Sequence, residues 1–171
     1  LEHKKKVGFV ATGQIGITIA GKGIPLDAFK VDHACGAVEQ VVLDQADKDI
    51  LLIEGQGSLL HPGSTATLPL MRGSCPTHLI LCLRAEIKTL RSPEHIKIPD
   101  LNDFIALNES LASVFGTFPR SRVIGIAANT SMLSDIDAKA YLSKTSKDTG
   151  LVTTDPIRYG IAPIGEEILM S

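Results

Sequence analysis

Tryptophan is absent from the 171 residues, and tyrosine and phenylalanine number two and five. So few aromatic faces exclude a stacking platform for single-stranded nucleic acid. Cysteine is scarce as well. Cys35, Cys75 and Cys82 are odd in number and none stands in a CxxC pair, which excludes a disulfide framework and a thiolate zinc cluster. No apolar run approaches the roughly 20 residues of a membrane span, and the first residues lack a secretory-leader pattern, so no membrane partner is implied and a cytoplasmic location is the default expectation. An excess of one charge is missing too: the formal net charge is -2. The one basic cluster, Lys4 to Lys6, reads as a solvated lead-in to a strand, and no nucleic-acid partner is implied. His3, His33, His61, His78 and His95 are scattered without metal-ligand spacing.

What is present is a regular alternation of short aliphatic runs and helical patterns. Residues 7–11 (Val-Gly-Phe-Val-Ala), 50–53 (Ile-Leu-Leu-Ile), 78–83 and 122–128 read as strands buried on both faces, as in a parallel sheet covered by helices. Residues 32–43 carry apolar side chains at 34, 35, 37, 38, 41 and 42, a helical spacing, and 100–115 and 134–147 are likewise helical. Asp32, Asp100 or Asn102, and Ser134 are the candidate helix starts, and Gly150 is a stop. Residues 84–99 read as an exposed excursion, 152–156 as a last short strand and turn, and 160–171 as a weakly patterned tail. The order predicts a single layered α/β domain over residues 1–171, with a mostly parallel sheet and helices on both faces.

In open α/β sheets ligands bind beyond the carboxyl ends of the strands. Glu54 stands at such an end, followed by Gly55, Gln56 and Gly57. An acid there is how a phosphate-handling fold holds Mg²⁺, so Glu54 is a candidate catalytic residue and a candidate Mg²⁺ ligand. His61, a few residues on, is the candidate general acid or base. Thr12, Gly13, Gln14 and Gly16 after the first strand, with Asn129, Asp155 and Arg158 after later ones, complete a candidate ligand-binding set with Gly55, Gln56 and Gly57. Each has a plainer reading: Glu54 a solvated acid beside a turn, Asn129 a turn cap, His61 a surface loop residue. Gly13 and Gly16, with Asp32 downstream, have the outline of a dinucleotide-binding turn, but Gly21, Gly23 and Pro25 come too early for the helix such a unit needs. A GxxxxGK[ST] phosphate loop does not occur, and Gly21-Lys22-Gly23 is too short to replace it. The expectation is a P-loop NTPase-like domain lacking its first strand and phosphate loop.

Several ordered motifs together point to a family. They are residues 10–17 (Val-Ala-Thr-Gly-Gln-Ile-Gly-Ile), 21–27 (Gly-Lys-Gly-Ile-Pro-Leu-Asp), 53–62 (Ile-Glu-Gly-Gln-Gly-Ser-Leu-Leu-His-Pro), Asn129-Thr130, and 155–160 (Asp-Pro-Ile-Arg-Tyr-Gly). The chain resembles the C-terminal domain of the DgcN-like family of D-glutamate N-acetyltransferases. It departs from the family at Arg72 and Leu83, where histidines are expected. The resemblance implies a larger two-domain protein in which an N-terminal Rossmann-like domain is the partner of this P-loop-type domain. It also implies acetyl transfer from acetyl-CoA to the amine of an amino acid such as D-glutamate, with the present piece inactive alone. Two rival expectations stand beside it. One is an ATP-dependent ligase or kinase resembling dethiobiotin synthetase, with ATP and Mg²⁺ bound; the other is a non-catalytic nucleotide-binding or dimerisation module, in a homo-oligomer.

Overall fold

The computed structural model describes residues 5–171; His3 and Lys4 lie outside the described residues. The chain folds as two compact units, Leu1–Cys75 and Pro76–Ser171.

In the first unit β1 (Val7–Val10) and β2 (Ile50–Ile53) pair in parallel, with Val7 opposite Ile50 and Val10 opposite Ile53. Parallel neighbours need a long crossover, and here it contains α1 (Gln14–Ala20), a 3-10 turn at Leu26–Ala28 and α2 (Val31–Leu43). α1 is as short as the early Gly21 and Pro25 require. The core is Leu26, Ala34, Val38, Ala66 and Leu70, with Ile24, Val42 and Ile53 packed against it. It draws on α2 and on α3 (Thr67–Ser74). The N-cap of α2 is Lys30, and Asp32 falls in the first turn instead, where its negative charge suits the helix dipole. The expected two-sided burial of the strands is not met: Val7, Phe9 and Leu52 are exposed. An unbroken aliphatic run cannot by itself distinguish a strand covered on one face from one covered on both.

In the second unit β3 (His78–Arg84), β4 (Arg122–Asn129) and β5 (Val152–Thr154) form a parallel sheet in that order. α4 (Leu101–Ser113) and α5 (Asp135–Thr149) make the crossovers. Asp100 caps α4 by accepting the Asn102 N–H at 2.8 Å, and Ser134 caps α5 by accepting the Asp137 N–H at 3.2 Å. Residues 84–99 are largely irregular, joined by one antiparallel bridge between Thr89 and Lys97. The tail is a correction: Ala162–Met170 is a regular helix, α6, with Pro163 in its first turn. Its anchor is Ile164, fully buried over β4, where the missing side chain of Gly125 leaves it space; an added Cβ there would lie 3.1 Å from Ile164 Cγ1. One buried isoleucine meeting one glycine is a tertiary fit that leaves no periodic signal in the sequence.

The chain is thus an α/β protein with parallel sheets flanked by helices. Among the described residues no helix is long and apolar enough to cross a membrane.

Ser121, before β4, is 1% exposed, and among the described residues its hydroxyl has no hydrogen-bond partner. A buried hydroxyl left unpaired costs about 1 kcal/mol or more. Ser121→Ala is therefore expected to raise the denaturation midpoint by an amount worth roughly 1 kcal/mol; a lowered midpoint would show that the hydroxyl is satisfied.

Candidate functional site

At the carboxyl end of β1 and β2 the chain brings together the first group of candidate residues. Glu54 continues the ladder past β2, its N–H donating to Val10 O at 2.9 Å. The side chain then reaches to the turn after β1. Glu54 Oε2 accepts the Thr12 N–H at 2.8 Å and the Gly13 N–H at 3.0 Å, while the Thr12 hydroxyl donates to Glu54 O at 2.9 Å. Gly13 is the N-cap of α1, so the carboxylate satisfies one amide that the helix start leaves open and that of the residue before it, and carries the negative charge that the dipole favours. Thr12 is fully buried and Glu54 is half-buried.

Gly16 makes room for this arrangement. A Cβ built on it would overlap Glu54 Oε2 and fall 2.7 Å from Oε1. Among the described residues Glu54 Oε1 accepts no hydrogen bond. The carboxylate is oriented through one oxygen, and the other remains an available acceptor.

The loop after Glu54 is closed by hydroxyls. Ser64 Oγ accepts the Ser58 N–H at 3.0 Å and lies 3.0 Å from Thr67 Oγ1, and the Thr67 hydroxyl donates to Gln56 O at 3.1 Å. Gly57, at φ 75°, gives the loop its left-handed turn. Gln14 reaches to Asp27 at 2.9 Å. His61 lies further along the same loop, where its Nδ1 accepts the Gly63 N–H at 3.1 Å, a bond that requires the neutral tautomer with the proton on Nε2. Ser64 and Thr67 are absent from the residues singled out in sequence, because serines and threonines in a polar loop give no sign of which carbonyls they reach.

The second group, Asn129, Asp155 and Arg158, meets at the carboxyl end of β4 and β5. Asp155 Oδ2 accepts the Thr130 N–H at 2.8 Å and the Thr130 hydroxyl at 2.6 Å, and Oδ1 accepts the N–H groups of Ile157 at 2.9 Å and Arg158 at 3.1 Å. Burial pushes this carboxyl up, but the Thr130 hydroxyl and the N–H groups of Thr130, Arg158 and Ile157 outweigh it and hold the pKa at about 2. Asn129 Oδ1 accepts the Ser131 N–H at 2.9 Å, so the turn-capping reading of this residue describes its oxygen. The Arg158 guanidinium donates to Leu133 O at 2.7 Å. Tyr159 donates to Asp135 Oδ1 at 2.6 Å, and Lys139 pairs with Asp135 at 2.9 Å on the exposed face. Thr130, quoted with Asn129 among the sequence motifs, is fully buried, and its hydrogen bonds to Asp155 are what the sequence did not show.

Among the described residues no group of three or more His, Cys, Asp or Glu side chains is placed to hold a metal ion.

A family model described as the DUF1611 C-terminal domain of unknown function, a P-loop domain, matches residues 1–165. A D-glutamate N-acetyltransferase from a Pseudoalteromonas species is 35% identical over 164 residues, covering 95% of this chain and 49% of that protein. A D-glutamate N-acetyltransferase from Tritonibacter scottomollicae is 37% identical over 156 residues, covering 91% of this chain and 46% of that protein. The chain therefore spans about half the length of these relatives. The crystal structure of a DUF1611 family protein from Anabaena variabilis superposes with a TM-score of 0.95 at 46% identity, covering 98% of this chain and 49% of that one. These matches bear out the resemblance carried by the motifs and the P-loop-like α/β fold expected from them.

Proposed function

We propose, because this chain belongs to the DUF1611 family as its C-terminal P-loop domain, that it is part of an enzyme that moves the acetyl group of acetyl-CoA to the amine of an amino acid such as D-glutamate. The two relatives carrying that activity in their names support the substrate class. The observation that carries the chemistry is the half-used carboxylate of Glu54, anchored through Oε2 and open at Oε1. In acetyl transfer the amine nitrogen attacks the thioester carbonyl carbon, a C–N bond forms, the C–S bond breaks, and the nitrogen sheds a proton. A carboxylate held in one orientation is suited to accept that proton. The departing thiolate takes its proton from water or, once the Gly63 bond is released and the ring is protonated, from His61, the second titratable candidate. Thr12, Gly13 and Gly16 are buried and shape the turn that holds Glu54, the Ser64 hydroxyl fills the space over Gly57, and Gln14, Gly55 and Gln56 are the members of the set left to meet a ligand, with open space over Gly55. If Mg²⁺ takes part, Glu54 Oε1 is the protein carboxylate oxygen left for it at this turn, and the ion would keep several waters, as it commonly does.

The test is acetyl-CoA consumption by the full-length protein with D-glutamate, compared with Glu54→Gln. The expected result is turnover by the wild type and a loss of about 100-fold in the variant, the usual scale for removing a general base. Equal turnover would remove Glu54 from the mechanism. A run with EDTA reads metal dependence, and a run with Mg·ATP and no acetyl-CoA addresses the nucleotide-dependent reading that the P-loop family description favours; ATP turnover there would replace the acetyltransferase reading.

A further inference from the structure

The open oxygen of Glu54 has a second acceptor beside it. Two glycines leave bare backbone there: the Cβ position of Gly16 falls 2.7 Å from Glu54 Oε1, and that of Gly13 falls 3.7 Å from the same oxygen and 2.8 Å from Gln56 Oε1. Two acceptor oxygens, one of them on a carboxylate, therefore converge on the same turn. Among the described residues no donor reaches either. All of these groups lie within the first compact unit.

The loop holds Gln56 in this place. Its backbone carbonyl accepts the Thr67 hydroxyl at 3.1 Å, and the next residue, Gly57, keeps its left-handed turn under the Ser64 hydroxyl. From that braced backbone the half-buried carboxamide sets its oxygen, rather than its NH₂ group, against Gly13. Gly13 could not carry a side chain without displacing it. Acceptors that share a part-buried turn repel each other until a donor joins them, and the open space over Gly55, between the two residues, gives a donor access.

We infer that Gln56 sets the specificity of this site for an amine, with Glu54 Oε1 and Gln56 Oε1 each accepting one N–H of the same nitrogen. A neutral primary amine has two hydrogens and one lone pair. With both hydrogens held, the lone pair is left to face the thioester carbon. On attack the C–N bond forms, the C–S bond breaks, and the proton facing Glu54 passes to Oε1 while Gln56 keeps the other N–H. A hydroxyl has a single hydrogen and would leave the Gln56 oxygen unpaired. The chemical step rests on the acetyltransferase reading; the pairing of two acceptors with one amine does not.

The experiment uses the full-length protein as wild type, Gln56→Met and Gln56→Glu. Methionine keeps the length of the side chain and removes the acceptor. Gln56→Met is expected to raise the KM for D-glutamate about tenfold, the worth of one hydrogen bond to a charged group, with the KM for acetyl-CoA changed less than about twofold. Gln56→Glu keeps an oxygen and adds a charge beside Glu54. It should hold the D-glutamate KM within about threefold of the wild type and move the acid limb of the kcat/KM profile up by about one pH unit, since neighbouring carboxylates disfavour each other's ionisation. An unchanged D-glutamate KM in Gln56→Met, or a rise confined to acetyl-CoA, overturns the inference. A lowered one does so too, because an amide turned to donate to Glu54 would close the open oxygen and its removal would free it. Calorimetry reads the pairing without turnover, using D-glutamate and D-2-hydroxyglutarate, which carries a hydroxyl in place of the amine. The wild type should bind the amine more tightly, and Gln56→Met should show that preference reduced about tenfold; a preference that is absent from the wild type, or equal in the two proteins, overturns the pairing. A wild type that binds with this preference but does not turn over would sink the acetyltransferase reading and leave the pairing standing.

Discussion

Asp155→Ala is expected to destabilise the protein by about 3 kcal/mol, because it strands the buried Thr130 N–H and hydroxyl and frees the part-buried N–H groups of Ile157 and Arg158, which water can reach. Each buried donor left unsatisfied costs on the order of 1–3 kcal/mol, and water entering the space vacated by the side chain recovers part of the sum. Denaturant unfolding followed by circular dichroism measures it; a loss under about 1 kcal/mol would mean that the turn rearranges to pair its own donors. The same carboxylate sets a pH dependence with a definite sign. Its folded pKa of about 2 lies below the ordinary value of 3.8. A depressed carboxyl stabilises the fold fully above the unfolded pKa, and that contribution fades as the pH falls through the folded one. Asp155's share of stability is therefore present above about pH 4 and lost towards about pH 2. In Asp155→Asn the slope of stability between those limits should be shallower than in the wild type.

Gly16→Ala is the second large effect, an expected loss of about 3 kcal/mol, and its cause can be isolated. The new Cβ would overlap the carboxylate of Glu54. That carboxylate is the far end of a flexible side chain, but it is pinned by the N–H groups of Thr12 and Gly13. Moving it breaks two hydrogen bonds to a charged acceptor, each worth roughly 1.5–3 kcal/mol. Alanine's better helix propensity returns up to ~1 kcal/mol. In a Glu54→Ala background the clash and the bonds are both gone, so the same Gly16→Ala should be neutral or stabilising. A double-mutant cycle with a coupling near zero would show that Gly16 serves the backbone of α1 and not the carboxylate.

Much of the fold was legible because burial imposes periodicity. Ile50–Ile53 was recognisable as a strand from four consecutive aliphatic residues, and α4 and α5 from their apolar spacing and from Asp100 and Ser134 at their starts. α6 was not, since what holds it is Ile164 meeting the bare backbone of Gly125, two positions 39 residues apart with no repeating pattern between them. The exposure of Val7, Phe9 and Leu52 was hidden for a related reason: an aliphatic run states that burial is favourable, not on how many faces it is achieved.

The candidate site divides in the same way. From the sequence alone came an acid at the end of β2, glycines beside it, a threonine-glycine turn after β1 and a second acid after β5. These follow from local chemistry, because a polar residue interrupting an aliphatic run must sit where the run meets solvent. Only the tertiary structure decided that Glu54 reaches Thr12, 42 residues away, that Asp155 reaches Thr130, 25 residues away, and that the first keeps an open oxygen while the second is saturated. Strand adjacency and register choose which donors face which carboxylate, and hydrogen-bond saturation is a count of those neighbours. The residue types were written along the chain, but the difference between an acid with an open oxygen and one whose oxygens are saturated arises from what parallel pairing sets beside each of them.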